Sequence, residues 1–230
     1  GDDDLATLLT AIEGTSVRSL CGLTEGQTVA DFSKQNLKPI DCKIMTAEFK
    51  FQGFIAAVEA VVLDENLIGG LDRWGKGDET TELLLTFTDA VADSNVTKLS
   101  LKTCGLGAAA CAHALPRLLE SARLTDLNLS DNGLTGATRG DYSKPWDKNI
   151  DRNLEGWSKT CDKLKASNLV TLSLQTTGLG PAALRKLATS LPATLTSINC
   201  LANNFGDDDL ATLLTAIEGT SVRSLCGLTE

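Results

Sequence analysis

Residues Leu124–Gly136 read LTDLNLSDNGLTG. Leu127 and Leu129 alternate with polar residues, so one face of a short strand points inward. The same frame recurs along the chain. Val96–Gly107 reads VTKLSLKTCGLG, Leu169–Gly180 reads LVTLSLQTTGLG, Leu195–Gly206 reads LTSINCLANNFG and Val58–Gly69 reads VEAVVLDENLIG. Gln27–Pro39 holds a degenerate version ending ADFSKQNLKP, while Val17–Leu23 and Val222–Leu228 supply the strand part alone, VRSLCGL. The shared frame is L-x-x-L-x-L-x-x-N-x-L, with Cys, Thr or Gln replacing some of the Asn residues.

Asn66, Asn132 and Asn203 fall where a buried side-chain amide can satisfy backbone groups of neighbouring coils. Gly105, Gly133 and Gly178 suit a tight bend after the strand. A helix is expected after each strand. Leu184, Leu187, Ala188 and Leu191 keep helical spacing, as do Leu115, Leu118 and Leu119, and Leu5, Leu8, Leu9 and Ile12. Asp2, Asp3 and Asp4 open that last helix, where carboxylates suit the dipole. Pro192 is expected near a helix end, and Pro116 is expected to kink its helix or end it early. Frames starting at 58, 96, 124, 169, 195 and 222 are 38, 28, 45, 26 and 27 residues apart. The short spacings fit one strand and one helix; the excesses mark insertions around Leu71–Asp78 and Ala137–Asn153. Val17–Phe32 is too short for a helix between its two strand-like segments and reads as an extra turn or a short hairpin.

On these motifs the chain resembles the ribonuclease-inhibitor-like branch of the leucine-rich repeat family, including the repeat regions of cytosolic receptors. The resemblance covers nearly the whole chain, 1–230, as a single solenoid. It implies an α/β leucine-rich repeat solenoid, curved, with parallel strands on the concave face and helices on the convex face. It also implies binding of macromolecules and no catalysis. The irregular repeat lengths, the Val17–Phe32 passage and the absence of recognisable caps depart from the family pattern.

A second repeat overlies the first. Residues Gly1–Glu25, GDDDLATLLTAIEGTSVRSLCGLTE, return letter for letter as Gly206–Glu230, an offset of 205 positions. The copy carries five acids and one Arg, so one period has a net charge of −5 where the whole chain has −9. One period likewise holds six cysteines where the chain has seven. Solenoids normally carry polar terminal caps, and neither copy reads as one. Three explanations stay open: a tandem array, a unit that stacks head to tail into a filament, or a cloning boundary that overlaps one period. The end-to-end contact is expected at Leu5, Leu8, Leu9, Leu225 and Leu228.

Composition narrows the function. Hydrophobic residues make up 42% of the chain but aromatics only 4%, so the core is expected to be aliphatic. The acidic balance argues against nucleic acid, which needs a basic surface. No apolar run approaches the roughly 20 residues of a membrane span. The first residue is not Met and no signal-peptide pattern follows it, so it reads as a processing or cloning boundary. No cofactor motif and no CxxC pair appears, so no metal is expected. The cysteines read as buried free thiols, which favours a reducing compartment; six per period also permit three disulfides, and a filament would lie outside the cell.

The outward strand positions form the candidate partner-binding face: Lys98, Lys102, Asp126, Asn128, Thr171, Gln175 and Asn199, together with Ser100, Ser130, Ser173 and Ser197. The expected partner is a protein, with copies of the same chain among the candidates. The face holds no Trp, Tyr or Arg, the usual hot-spot residues. Trp74, Trp146, Trp157 and Tyr142 lie in or beside the insertions and read as anchors that pack them onto the solenoid. Arg139-Gly140-Asp141 spells an integrin-recognition tripeptide but also reads as ordinary loop composition. Asn95-Val-Thr97 and Asn128-Leu-Ser130 match the glycosylation sequon. Asp207–Asp209 lacks the spaced ligands of a calcium loop. The single histidine, His113, has no nucleophile or base beside it in the sequence, so no catalytic residue is assigned.

Overall fold

The computed structural model describes residues 7, 10–12, 14–51, 53–77, 81–141 and 143–227. Six three-residue strands form one parallel sheet whose spatial order is the chain order: β1 (Val29–Asp31), β2 (Ala60–Val62), β3 (Lys98–Ser100), β4 (Asp126–Asn128), β5 (Thr171–Ser173) and β6 (Ser197–Asn199). Six helices lie between or after them: α1 (Cys42–Phe51), α2 (Thr81–Ala92), α3 (Ala108–Leu118), α4 (Leu154–Leu164), α5 (Pro181–Ala188) and α6 (Asp207–Ile217). Each of these follows a strand, and α1 to α5 each pack on the helix of the next coil. This is an α/β solenoid, and Gln27–Pro39, the degenerate frame, builds a full coil.

The alternation read from Leu127 and Leu129 operates in every coil. The middle strand residues stack in register as Ala30, Val61, Leu99, Leu127, Leu172 and Ile198, and none is more than 3% exposed. Behind them Leu63, Leu101, Leu129 and Leu174 are buried, followed by Ile68, Leu106, Leu134 and Leu179. Phe49, Phe87 and Trp157 fill the helix side of this leucine column. Phe49 and Phe87 meet edge to face at 6.0 Å, and Trp157 is buried with its Nε1 donating to the Ala183 carbonyl at 3.0 Å.

The asparagines clamp coil to coil. Asn132 is fully buried; its Nδ2 donates to the carbonyls of Leu101 and Leu129, both at 2.9 Å, and its Oδ1 accepts from the amides of Cys104 and Leu106, both at 3.0 Å. Asn203 repeats this arrangement, and Asn66 does so with one accepted amide, that of Leu37. Where the frame has Cys104 or Thr177, the side chain keeps one bond of the set: Cys104 Sγ donates to Leu63 O at 3.2 Å and Thr177 Oγ1 to Leu174 O at 2.8 Å. The residue before this position is left-handed in each coil, at Lys34, Glu65, Thr103, Asp131, Thr176 and Ala202, with φ between 54° and 59°. The amides of Lys34, Glu65, Thr103, Asp131 and Thr176 donate to the following coil, as from Thr103 to Ser130 O and from Asp131 to Gln175 O, which offsets the steric cost of that conformation. Gly105 also has positive φ, at 67°, and a Cβ there would lie 2.3 Å from Leu71 O.

Pro181 opens α5 at its first position, where its missing N–H costs nothing. Asp151, from the second insertion, accepts the amides of Gly180, Ala182 and Ala183 and caps this helix from outside its own coil. Asp207–Asp209 form the first turn of α6. Pro116 is tolerated one turn from the end of α3, which stops at Leu118. On the convex side ion pairs join successive helices: Arg117 to Asp89 and Asp93, Lys163 to Glu120, Lys186 to Asp162, and Arg185 to Asp209. Val17–Phe32 resolves as a turn. Gln27 donates its amide to Thr24 O at 3.2 Å, no strand pairing joins Val17–Leu23 to β1 among the described residues, and Leu20 and Cys21 donate their amides to the buried Glu48 carboxylate instead.

Candidate functional site

The outward strand positions form three rows across the sheet. Lys98, Asp126, Thr171 and Ser197 are in register in the first row, and Ser100, Asn128, Ser173 and Asn199 in the second. Lys102, Ser130 and Gln175 continue them past the strand ends. Lys98, Lys102 and Gln175 are exposed; Asp126, Asn128, Thr171 and Asn199 are half-buried. Ser197 and Ser130 are 2% and 5% exposed, so these two are not open positions. Their short side chains sit between taller neighbouring coils, and Ser130 Oγ and Ser173 Oγ share a 2.8 Å hydrogen bond. Asn128 Nδ2 donates to Ser100 Oγ at 3.0 Å, Ser100 Oγ donates to Asp64, and Asn199 Nδ2 donates to Gln175 Oε1 at 3.3 Å. The amide of the second glycosylation sequon is therefore engaged within the sheet.

A recess of about 400 Å³ opens where these rows meet the second insertion. Lys102, Ser130, Gln175, Thr176 and Ala202 form its floor, and Arg139, Ser143, Lys144 and Pro145 its wall, with Asp131 at the corner. The insertion is held by short local pairing, Thr138 with Lys148, and by one buried assembly. Asp131 Oδ1 accepts from Arg139 Nη1 at 2.9 Å and from Trp146 Nε1 at 3.2 Å, and the Arg139 guanidinium lies 4.2 Å from the Trp146 ring centroid. Arg139 also reaches the first insertion, donating from Nε to Arg73 O at 2.6 Å and from its amide to Trp74 O at 3.2 Å. The two insertions thus touch and brace each other. At the tip, Ser143 donates its amide and hydroxyl to Asp141, which holds that exposed carboxyl below its ordinary range.

Of the predicted face, the recess gathers Lys102 and Gln175, with Asn199 bonded to Gln175. Lys98, Asp126, Asn128 and Thr171 lie on the same sheet face outside it. Sequence reading missed Asp131, Arg139, Ser143, Lys144, Pro145, Thr176 and Ala202. The spacing of 45 residues between frames marked the insertion but not where it folds back. Arg139, 4% exposed, is structural, so the Arg139-Gly140-Asp141 tripeptide is not displayed. Trp146 is 3% exposed and packs the second insertion; Trp74, in the first insertion, is 42% exposed. Tyr142 lies outside the described residues, as do Leu5, Leu8, Leu9 and Leu228 of the expected end-to-end contact; Leu225, the fifth, is half-buried.

His113 is exposed on α3. Among the described residues no group of three His, Cys, Asp or Glu side chains is placed to hold a metal ion, and no helix is long and apolar enough to cross a membrane. All seven cysteines are free thiols. Burial pushes Cys42, Cys161 and Cys200 up to about 12; burial and the neighbouring Glu48 do the same for Cys21. Thiols held neutral in this way are poor nucleophiles.

No protein-family model and no curated protein matches the sequence. Among solved structures the chain is similar to the leucine-rich repeat-containing protein LegL7 from Legionella pneumophila, at 21% identity and a TM-score of 0.55, over 89% of this chain and 57% of that one. An internalin from Listeria monocytogenes aligns at 14% identity and a TM-score of 0.30, over 76% of this chain and 49% of that one. The chain therefore spans little more than half the length of LegL7. Stacked parallel strands, a helix in each coil, the buried asparagine clamps and the similarity to LegL7 agree: the chain has the leucine-rich repeat fold.

Proposed function

We propose that the chain is a non-catalytic scaffold of the ribonuclease-inhibitor-like type, whose 205-residue unit joins copies of itself end to end as a tandem array or filament. The branch assignment rests on the full helix found in each coil. The observation that carries the assembly reading is the placement of the second copy of the repeated segment. Residues 206–227 lie on β6 as one more coil: Ser224 pairs in parallel with Ser197, and Ile198 donates its amide to Ser224 O at 2.9 Å. Leu210 and Leu214 of α6, both 44% exposed, present an apolar strip beyond it. An exposed strip on a repeat helix is the surface that a further repeat covers. Electron microscopy and light scattering of the chain test this reading. Periodic fibres that disappear in the L5D/L210D variant are expected; a compact particle that never grows overturns it.

A second reading is favoured by the recess. Two lysines and an exposed Gln that line it suit recognition of an acidic segment of another protein. Under that reading K102E and K144E weaken partner binding and leave assembly unchanged.

A further inference from the structure

Over Ile12–Arg18 and Ile217–Arg223 the two copies of the repeated segment make the same local hydrogen bonds, and they are covered on opposite sides. Thr15 Oγ1 donates to Ile12 O and Thr220 Oγ1 to Ile217 O, both at 2.7 Å. Arg18 Nη1 donates to Thr15 O and Arg223 Nη1 to Thr220 O, both at 2.9 Å. The amides of Val17 and Val222 donate to the Thr15 and Thr220 hydroxyls at 3.2 and 3.3 Å. The backbone groups bonded to other coils differ. In the second copy the amides of Arg223 and Ser224 donate to Thr196 O, and Ser224 O and Leu225 O accept from Ile198 and Cys200. In the first copy it is Arg18 O that accepts, from Phe54 at 2.9 Å, while the amides of Leu20 and Cys21 donate to Glu48. No backbone group serves in both sets. Burial follows the same division: Val222 is 7% exposed, while Val17, its counterpart, is 37% exposed.

We infer that the slot on β6 filled by the chain's own second copy also accepts the first copy of another molecule, so that chains link by segment exchange. This rests on the end-to-end reading above and specifies its joint. The incoming segment is the same 25 residues, so its side chains fit that slot as the resident ones do. Its bonds to Phe54 and Glu48 of its own chain remain in place, because they use other atoms. One segment then closes two solenoids at once, the arrangement of an open-ended domain swap. The resident copy competes as a tethered ligand at an effective concentration on the order of millimolar. Exchange in the unmodified chain therefore needs high protein concentration, and weakening the resident copy promotes it.

Two substitutions at the duplicated valine separate exchange from simple stacking. V222D expels the resident copy; V17D spoils the incoming one and, being at an exposed position, spares the monomer. Exchange requires that V222D assemble at about tenfold or more lower concentration than the unmodified chain, as it removes the millimolar competitor. It also requires that V17D in the V222D background restore monomers. A fluorescent synthetic peptide of residues 1–25 should bind the V222D chain and cap its assemblies, and the same peptide carrying V17D should not. Peptide incorporation into the unmodified chain at long incubation gives the same readout without relying on the V222D fold. If V17D and V222D weaken assembly alike and the peptide does not bind, exchange is wrong and stacking stands. If the unmodified chain and V222D both stay monomeric to the solubility limit, the end-to-end reading fails as well.

Discussion

Replacing Asn132 by Ala removes a fully buried clamp between coils. The buried amides of Cys104 and Leu106 lose their acceptor, and the carbonyls of Leu101 and Leu129 lose a donor. A buried donor left unsatisfied costs about 1–3 kcal/mol. Carbonyls, with a second lone pair, cost less. The sum expected is about 4 kcal/mol, most of it from the two amides. For a chain of this size each kcal/mol moves Tm by roughly 2–4 °C, so Asn132→Ala should lower Tm by roughly 8–16 °C. Asn132→Thr is the internal control, since Thr177 occupies the equivalent position and keeps one bond to Leu174 O; it should cost about half as much. Urea and thermal unfolding followed by far-UV circular dichroism measure both. An Ala variant that loses less than about 1 kcal/mol, or no more than the Thr variant, would refute the claim that these buried hydrogen bonds hold coil to coil.

Other perturbations probe the rest of the structure. Trp146→Ala should release the second insertion, seen as protease cleavage between residues 139 and 148 at concentrations that leave the parent chain intact, with the stacked coils unchanged. Gly105→Ala should destabilise by more than about 2 kcal/mol, since it adds a Cβ against Leu71 O at a positive φ; urea midpoints measure it. Alkaline pH should destabilise the fold. The folded-state thiols of Cys42, Cys161 and Cys200 are raised from 9.0 to about 12. The unfolded chain therefore loses protons first, and stability present below pH 9 declines between about pH 9 and 12; Tm measured across that range should fall. Thiol labelling at neutral pH should modify the exposed Cys226 first and reach the buried Cys42, Cys104, Cys111 and Cys161 only on unfolding.

The coil was legible in the sequence because its determinants are periodic. Leu99, Leu127 and Leu172 announce the inward row, and Asn66, Asn132 and Asn203 announce the clamps, at spacings that backbone geometry dictates. Even Cys104 and Thr177 could be placed, since the frame around each one fixes its position. The left-handed residues were not legible. Lys34, Thr103 and Asp131 are a cation, a hydroxyl and an anion, and what they have in common is the amide each donates to the next coil. The recess was hidden for a different reason. Its keystone joins Asp131 to Arg139 and Trp146 and reaches Arg73 across 66 residues, a contact between two aperiodic insertions. Ser197 follows the outward parity yet is buried, because alternation gives direction but not the height of neighbouring side chains.

The central claim is that the duplicated segment makes this solenoid join to its own copies. Its most direct test is the mass of the intact chain as a function of concentration, by sedimentation velocity with electron microscopy of the same samples. Mass should rise with concentration in steps of one 24.3 kDa chain, and end-to-end particles should lengthen accordingly. A single 24.3 kDa species at every concentration, with no elongated particles, would contradict it.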